Sequence, residues 1–213
     1  VAGDSVSIER TINSELPFRI AVVLIFLMTV LVTLYFRIQA ASSGEKISRK
    51  DEGFLFAVIL RTLGIGLFTS TVVFVISPQS LEWAAMPLAP EVRWIGAVSG
   101  AACSLLMFWT LSSLGKNLTD TVVTRATATL ITTGPYRWAR HPFYVTAALL
   151  MTSVTILAAN FLIGGLSFFV LLMLAIRTPK EEQKLIEAFG QSYRDYMKTT
   201  GRFFPRFRGD PES

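Results

Sequence analysis

Apolar residues fall along this chain in long runs divided by shorter polar, charged stretches. A helix needs roughly 20 apolar residues to cross the hydrocarbon of a bilayer, with about 17–25 tolerated. Five runs qualify: near Pro17–Tyr35, Phe54–Ile76, Val92–Leu114, Pro142–Ala158 and Phe161–Ile176. Only Ala159 and Asn160 separate the last two, which predicts a tight helical hairpin. Both arms are short, about 25 Å by helical rise. The pattern predicts an all-α fold, a polytopic membrane helical bundle of about five transmembrane helices.

The chain turns polar after Arg177, and the stretch "RTPKEEQKLIEAFG" carries signals for a new helix. Thr178 is a good N-cap, Pro179 suits the first helical position, and Glu181 three residues after Thr178 completes a capping box. Leu185, Ile186 and Phe189 form an apolar stripe at helical spacing, and Gly190 can end the helix. A short C-terminal amphipathic helix at the membrane surface is expected. "QSYRDYM" adds a turn or two, and "GRFFPRF" reads as an aromatic, basic interfacial segment.

Composition supports a membrane protein: of 213 residues, 52% are hydrophobic and 16% charged. The net charge of +5 fits a basic cytoplasmic face, and no nucleic-acid partner is expected. Lys and Arg number four in 37–53, four in 116–140 and eight from Arg177 onward, 16 of the 20 in the chain. Arg10, Arg19 and Arg93 fall on the other side. The bias toward positive cytoplasmic loops puts the N-terminus outside and the C-terminus inside. Arg61 lies within the second run and either snorkels to the cytoplasmic end or lines a polar cavity. Cys103 is the only cysteine and His141 the only histidine. That excludes an internal disulfide, Cys–Cys redox motifs and poly-His or Cys-rich metal sites. A start at Val1 points to a trimmed N-terminus, and the residues before Glu15 are too polar for a signal peptide.

The long threonine-rich connector Lys116–Thr133 is a candidate functional loop. Its "NLT" at Asn117 matches a glycosylation sequon, but cytoplasmic placement makes that a chance match. "GIG" at Gly64–Gly66 lies inside a span with no strand before it, so it is no nucleotide fingerprint.

The lone histidine stands in "GPYRWARHPFY". Pro142 is placed to open the fourth helix, with His141 at its N-cap. A helix N-terminus offers free N–H groups and positive potential, which disfavours imidazolium and suits a carboxylate or a ribose hydroxyl. A capping histidine in an interfacial belt accounts for the same residues without a site. The hairpin returns Glu181 and Glu182 to this face. The capping box explains Glu181 and leaves Glu182 over. Arg140, Arg177 and Arg202 share the level. Either they follow the cytoplasmic charge bias, or one of them pairs bidentately with a substrate carboxylate. Arg140 faces either the headgroups or such an acid.

"LITTGPYRWARHPFY" followed by "RTPKEEQKLIEAFGQSYRDYMKTTGRFFPRF" resembles the isoprenylcysteine carboxyl methyltransferase family, within a wider set of membrane methyltransferases that includes phospholipid N-methyltransferases. The resemblance runs from about Leu114 to Phe207. It rests on three ordered blocks: Gly-Pro-Tyr-Arg with Arg-His-Pro-x-Tyr; Glu-Glu; and Phe-Gly-x-x-Tyr-x-x-Tyr with Arg-x-x-Pro. Two positions depart from the family pattern. Leu118 replaces a frequent aromatic and Thr146 a small residue, and both bear on acceptor shape.

The resemblance implies S-adenosyl-L-methionine as cofactor, bound on the cytoplasmic side, and a lipidic substrate, prenylated or of similar kind, entering from the bilayer. Carried onto this chain, the cofactor-binding residues are Tyr136, His141, Pro142, Tyr144, Glu181 and Glu182, with Glu182 the stronger candidate for the ribose. Arg140, Arg177 and Arg202 are the catalytic candidates, and no metal is expected. Residues 1–115 form an N-terminal three-span region, and 116–213 a cofactor-binding region with the hairpin and tail. Alternatives are a phospholipid or small-lipid N- or S-methyltransferase, an NADPH-dependent enzyme resembling sterol reductases, and a non-enzymatic scaffold.

Overall fold

A computed structural model describes residues 2–41, 53–115 and 129–206, with side chains from Ser14 onward in the first helix. Much of the threonine-rich connector, including Asn117 and Leu118, lies outside the described residues, as do the charges of 42–52. Among the described residues the helices are α1 (Ala2–Ala41), α2 (Phe54–Ile76), α3 (Pro90–Leu114), α4 (Pro142–Ala158), α5 (Phe161–Phe189) and α6 (Gln191–Thr199). The 3-10 turns Pro78–Ala84 and Gly134–Arg137 precede α3 and α4.

Among the described residues four helices are long and apolar enough to cross a membrane, within α1, α2, α3 and α5. The fifth expected span, α4, has 17 residues, the lower limit for crossing. It is sheltered instead, packed against α1, α3 and α5.

The hairpin forms where Ala159 and Asn160 predict it. Ala159 is left-handed, with φ 48°. Asn160 caps α5 by accepting from Leu162 N at 3.0 Å and Ile163 N at 3.2 Å. Its Nδ2 donates to the Leu81 carbonyl at 3.1 Å, tying the hairpin to the first 3-10 turn. The α3–α4 seam is close because Gly96 has no side chain. A Cβ there would lie 2.8 Å from both Leu157 N and the Ser153 carbonyl.

One end of the bundle is locked by charge. Arg93 is buried, and its two terminal nitrogens meet Glu15 at 2.6 and 2.7 Å. Its Nε donates to the Leu157 carbonyl at 3.0 Å, and the guanidinium carbon stands 3.7 Å from the centroid of the Phe18 ring. Arg19 Nε donates to the Val75 carbonyl at 2.7 Å. The 15–19 stretch of α1, the end of α2, the start of α3 and the end of α4 therefore meet here, and Arg140, Arg177 and Arg202 lie toward the opposite end, where α4 begins and α5 leaves its apolar stretch. Arg61 is exposed on α2, about 10 Å by helical rise from its start, which is the geometry of snorkelling and not of a buried cavity.

The tail corrects the expected separate surface helix. Phe161–Phe189 is one continuous helix with Pro179 inside it. Thr178 caps nothing: it is buried in mid-helix, and its hydroxyl donates to the Leu174 carbonyl at 3.0 Å. The carbonyl that Pro179 leaves free is that of Ala175, an exposed position. Helical order already established in the span propagates through the local start signal. Gly190, φ 58°, ends α5 as expected.

Candidate functional site

Pro142 occupies the first position of α4 and His141 is its N-cap, as the motif predicts. Both are buried. The side chain of His141 caps no backbone amide, so it is free to point elsewhere. It stands between the two glutamates that α5 carries past its apolar stretch. Nδ1 lies 3.7 Å from Glu181 Oε2, and Nε2 lies 3.4 Å from Glu182 Oε1. Nε2 makes no well-aligned hydrogen bond although it is buried. The imidazole stacks on Tyr144 at 5.5 Å and 7°.

Glu182 is 3% exposed. Its Oε1 accepts from Arg140 Nε and lies 2.8 Å from both that atom and Arg140 Nη2. Its Oε2 accepts from Arg202 Nε at 3.1 Å and Nη2 at 2.5 Å. Two guanidinium groups thus hold opposite oxygens of one buried carboxylate. Charge-assisted bonds of this kind offset the cost of burying the ion. Glu181 is more open. Its Oε1 accepts from Tyr144 Oη at 2.7 Å and pairs with Arg177 Nε at 2.9 Å, one turn back on α5.

The arrangement brings His141, Tyr144, Glu181, Glu182, Arg140, Arg177 and Arg202 into one cluster. Tyr136 is buried in the 3-10 turn beside it, and its carbonyl accepts from Tyr196 Oη. Burial pushes the phenols of Tyr136, Tyr193 and Tyr196 above their usual range, so these groups stay neutral. Pro142 brings no polar side-chain atom. Its part is to fix where α4 begins. Thr146, one turn on, is buried with its hydroxyl on the Pro142 carbonyl at 2.8 Å.

Sequence reasoning missed how the tail closes the cluster. Arg140 N donates to the Gly201 carbonyl at 2.9 Å and His141 N to the Arg202 carbonyl at 3.1 Å. Phe203 then lies 6.0 Å from the His141 ring. The only sequence signal was the glycine ahead of the Arg-x-x-Pro block. A Cβ at Gly201 would collide with the Phe204 carbonyl oxygen, so the turn requires glycine.

S-adenosylmethionine carries ribose hydroxyls, a cationic sulfonium and an amino acid end. Two carboxylates, a buried imidazole nitrogen without an aligned partner and a tyrosine hydroxyl match that donor and acceptor set.

Residues 97–187 match the model of the isoprenylcysteine carboxyl methyltransferase (ICMT) family. The match begins within α3, ahead of the motif blocks, and ends before α6 and Arg202. The chain is 28% identical to the protein-S-isoprenylcysteine O-methyltransferase of Dictyostelium discoideum over 137 residues, covering 59% of this chain and 55% of that protein. It is 30% identical to the enzyme of that name from Rattus norvegicus over 129 residues, covering 56% and 45%. A methanethiol S-methyltransferase of Pseudomonas deceptionensis is 31% identical over 78 residues, covering 37% and 29%. The chain spans about half the length of the protein-S-isoprenylcysteine O-methyltransferases it matches. Its fold resembles the solved structure of the eukaryotic intramembrane Ras methyltransferase ICMT, with TM-score 0.51 and 21% identity, covering 87% of this chain and 67% of that one. With its four long apolar helices, the protein is an integral membrane helical bundle.

Proposed function

We propose that this protein is an S-adenosylmethionine-dependent membrane methyltransferase, a reading supported by the motif residues and by the family-model match over 97–187. Its acceptor is the carboxylate of a prenylated cysteine or a similar lipidic acid, reached from the bilayer. The observation that carries the reading is His141. Its Nε2 is buried, without an aligned partner, and turned toward Glu182 in a cluster of two carboxylates.

In this reading Glu182 and Glu181 would hold the hydroxyls and cationic end of the cofactor, with His141 and Tyr144 beside them. When bound, the cofactor would supply a methyl group activated by its sulfonium, transferable to the acceptor oxygen with the sulfur–carbon bond broken and S-adenosylhomocysteine as leaving group. The residues of the chain supply alignment and a dry enclosure, and proximity alone lowers such a barrier by about 7–11 kcal/mol in good cases. A carboxylate acceptor is already ionised at neutral pH, so no side chain has to remove a proton. Arg202 is the guanidinium best able to orient it, because its side chain is 42% exposed against 8% for Arg140 and 11% for Arg177. The positive loop bias supports a cytoplasmic position for this end.

The test is twofold. Purified protein should bind S-adenosylhomocysteine by calorimetry, and His141→Ala or Glu182→Ala should weaken that binding. With labelled methyl donor, a farnesylated cysteine analogue should be methylated in preference to a phospholipid amine or a small thiol. Absence of binding at millimolar ligand would refute the cofactor. Preference for the thiol or the amine would refute the acceptor.

A further inference from the structure

The cluster holds three arginines, and their surroundings assign them different work. We infer that Arg140 is a positioning residue: it acts on the reaction through the C-terminal segment Thr200–Arg206, which it seats across the start of α4, and not by touching the acceptor. The inference rests on the methyltransferase reading and divides the labour within that site.

Arg140 is occupied on every side. Its Nε and Nη2 both reach Glu182 Oε1. Its Nη1 donates to the carbonyls of Thr200 and, at 3.3 Å, Met197. Its backbone N–H donates to the Gly201 carbonyl. Little of the guanidinium is left to meet an acid from outside. Thr200 is itself buried, at 4% exposure. Its carbonyl would lose its guanidinium partner without Arg140, and a buried polar group left unpaired costs free energy.

The segment seated this way carries the groups that finish the enclosure. Arg202 takes the second oxygen of Glu182, and Phe203 lies against the His141 ring. Both reach their places only if the turn from Gly201 to Phe204 is tight, which the absence of a side chain at Gly201 allows. Arg140, at the α4 start, and Gly201, in the tail, therefore serve one event. With the segment down, His141 and Glu182 are both nine-tenths buried. Anything that binds them must enter before the segment settles or as it lifts.

The experiment compares Arg140→Gln, Arg140→Lys, Gly201→Ala and the double variant Arg140→Gln with Gly201→Ala, all in the full chain in lipid nanodiscs. Hydrogen exchange at the Arg140 and His141 amides reads the seating directly, with no ligand present. We expect exchange to rise at least tenfold in all four, the order of a local opening that loses its latch. Steady-state methylation of the farnesylated cysteine analogue should show kcat falling and acceptor KM rising alike in Arg140→Gln and Gly201→Ala. The double variant should be no worse than the worse single one, because both remove the same event. Arg140→Lys should not rescue, since a compact ammonium lacks the planar fork that reaches Glu182 on one edge and the Thr200 and Met197 carbonyls on another. Unchanged exchange in Arg140→Gln would overturn the inference. So would an Arg140→Gln defect that multiplies in full on the Gly201→Ala background, which would mark a direct contact with the acceptor. If the wild-type protein neither binds S-adenosylhomocysteine nor methylates any acceptor, the methyltransferase reading fails instead, and the exchange data still decide whether Arg140 seats the segment.

Discussion

Arg140 approaches Glu182 side-on, with Nε and Nη2 both at 2.8 Å from the single oxygen Oε1. The other oxygen is left to Arg202. This geometry makes Glu182 the pivot of the cluster, since its removal strands one buried guanidinium and frees one exposed guanidinium.

Glu182→Gln should therefore cost both stability and binding. Breaking a buried ion pair by removing one partner costs about 3–5 kcal/mol. The amide can still accept a hydrogen bond, so the lower end of that range is expected. Glu181→Gln should cost less, because Glu181 is only partly buried and its main partners, Tyr144 and Arg177, are a hydroxyl and a neighbour on the same helix. Thermal unfolding in detergent together with S-adenosylhomocysteine calorimetry checks both. Equal losses in the two variants would contradict the ranking.

At the other end of the bundle, Arg93→Ala should unfold the protein at markedly lower temperature yet leave cofactor affinity in the surviving folded fraction unchanged. It strands Glu15, frees the Leu157 carbonyl and removes the contact with Phe18. The expected loss is again about 3–5 kcal/mol. A change in S-adenosylhomocysteine affinity would show that losing these contacts, with nothing pushing on α4, is by itself enough to displace the helix start that carries His141.

The hairpin cap gives a smaller prediction. Asn160→Ala removes the acceptor of two amides and the donor to Leu81. A lost N-cap costs about 1 kcal/mol, and the freed Leu81 carbonyl adds to it. Asn160→Asp should recover the cap but not the link to Leu81, so its melting temperature should lie between those of wild type and Asn160→Ala.

What the sequence disclosed was local. Pro142 and His141 announce the start of α4, Ala159 and Asn160 the hairpin, and Gly190 the end of α5. The Arg-His-Pro and Glu-Glu blocks named most of the cluster. What stayed hidden depends on contacts distant in sequence. Arg93 reads in the sequence only as a charge on the outer side, because nothing near it reveals a carboxylate 78 positions earlier on another helix. Thr178, Pro179 and Glu181 spell a helix start, and the span running into them overrides it. The return of Gly201 and Arg202 to the amides of Arg140 and His141 leaves no periodic trace at all.

The seam between α3 and α4 supplies the last prediction. Gly96→Ala would push a methyl group to 2.8 Å from two backbone atoms of α4, which cannot rotate away as a side chain can. Overpacking of this kind costs about 1–3 kcal/mol. Gly165 is the control, also helical, with nothing within 4 Å of an added Cβ. Gly165→Ala should be neutral or slightly stabilising, since alanine is favoured over glycine in a helix by up to about 1 kcal/mol. Because α4 carries His141 at its start, a shift of α4 against α3 should also reach the cluster. Gly96→Ala should then weaken S-adenosylhomocysteine binding several-fold, while Gly165→Ala leaves it unchanged. Calorimetry on the two variants at one temperature, below both unfolding transitions, separates the outcomes. Unaltered affinity in Gly96→Ala would mean that the strain is absorbed at the far end of α4, near Ser153 and Leu157, without moving its start.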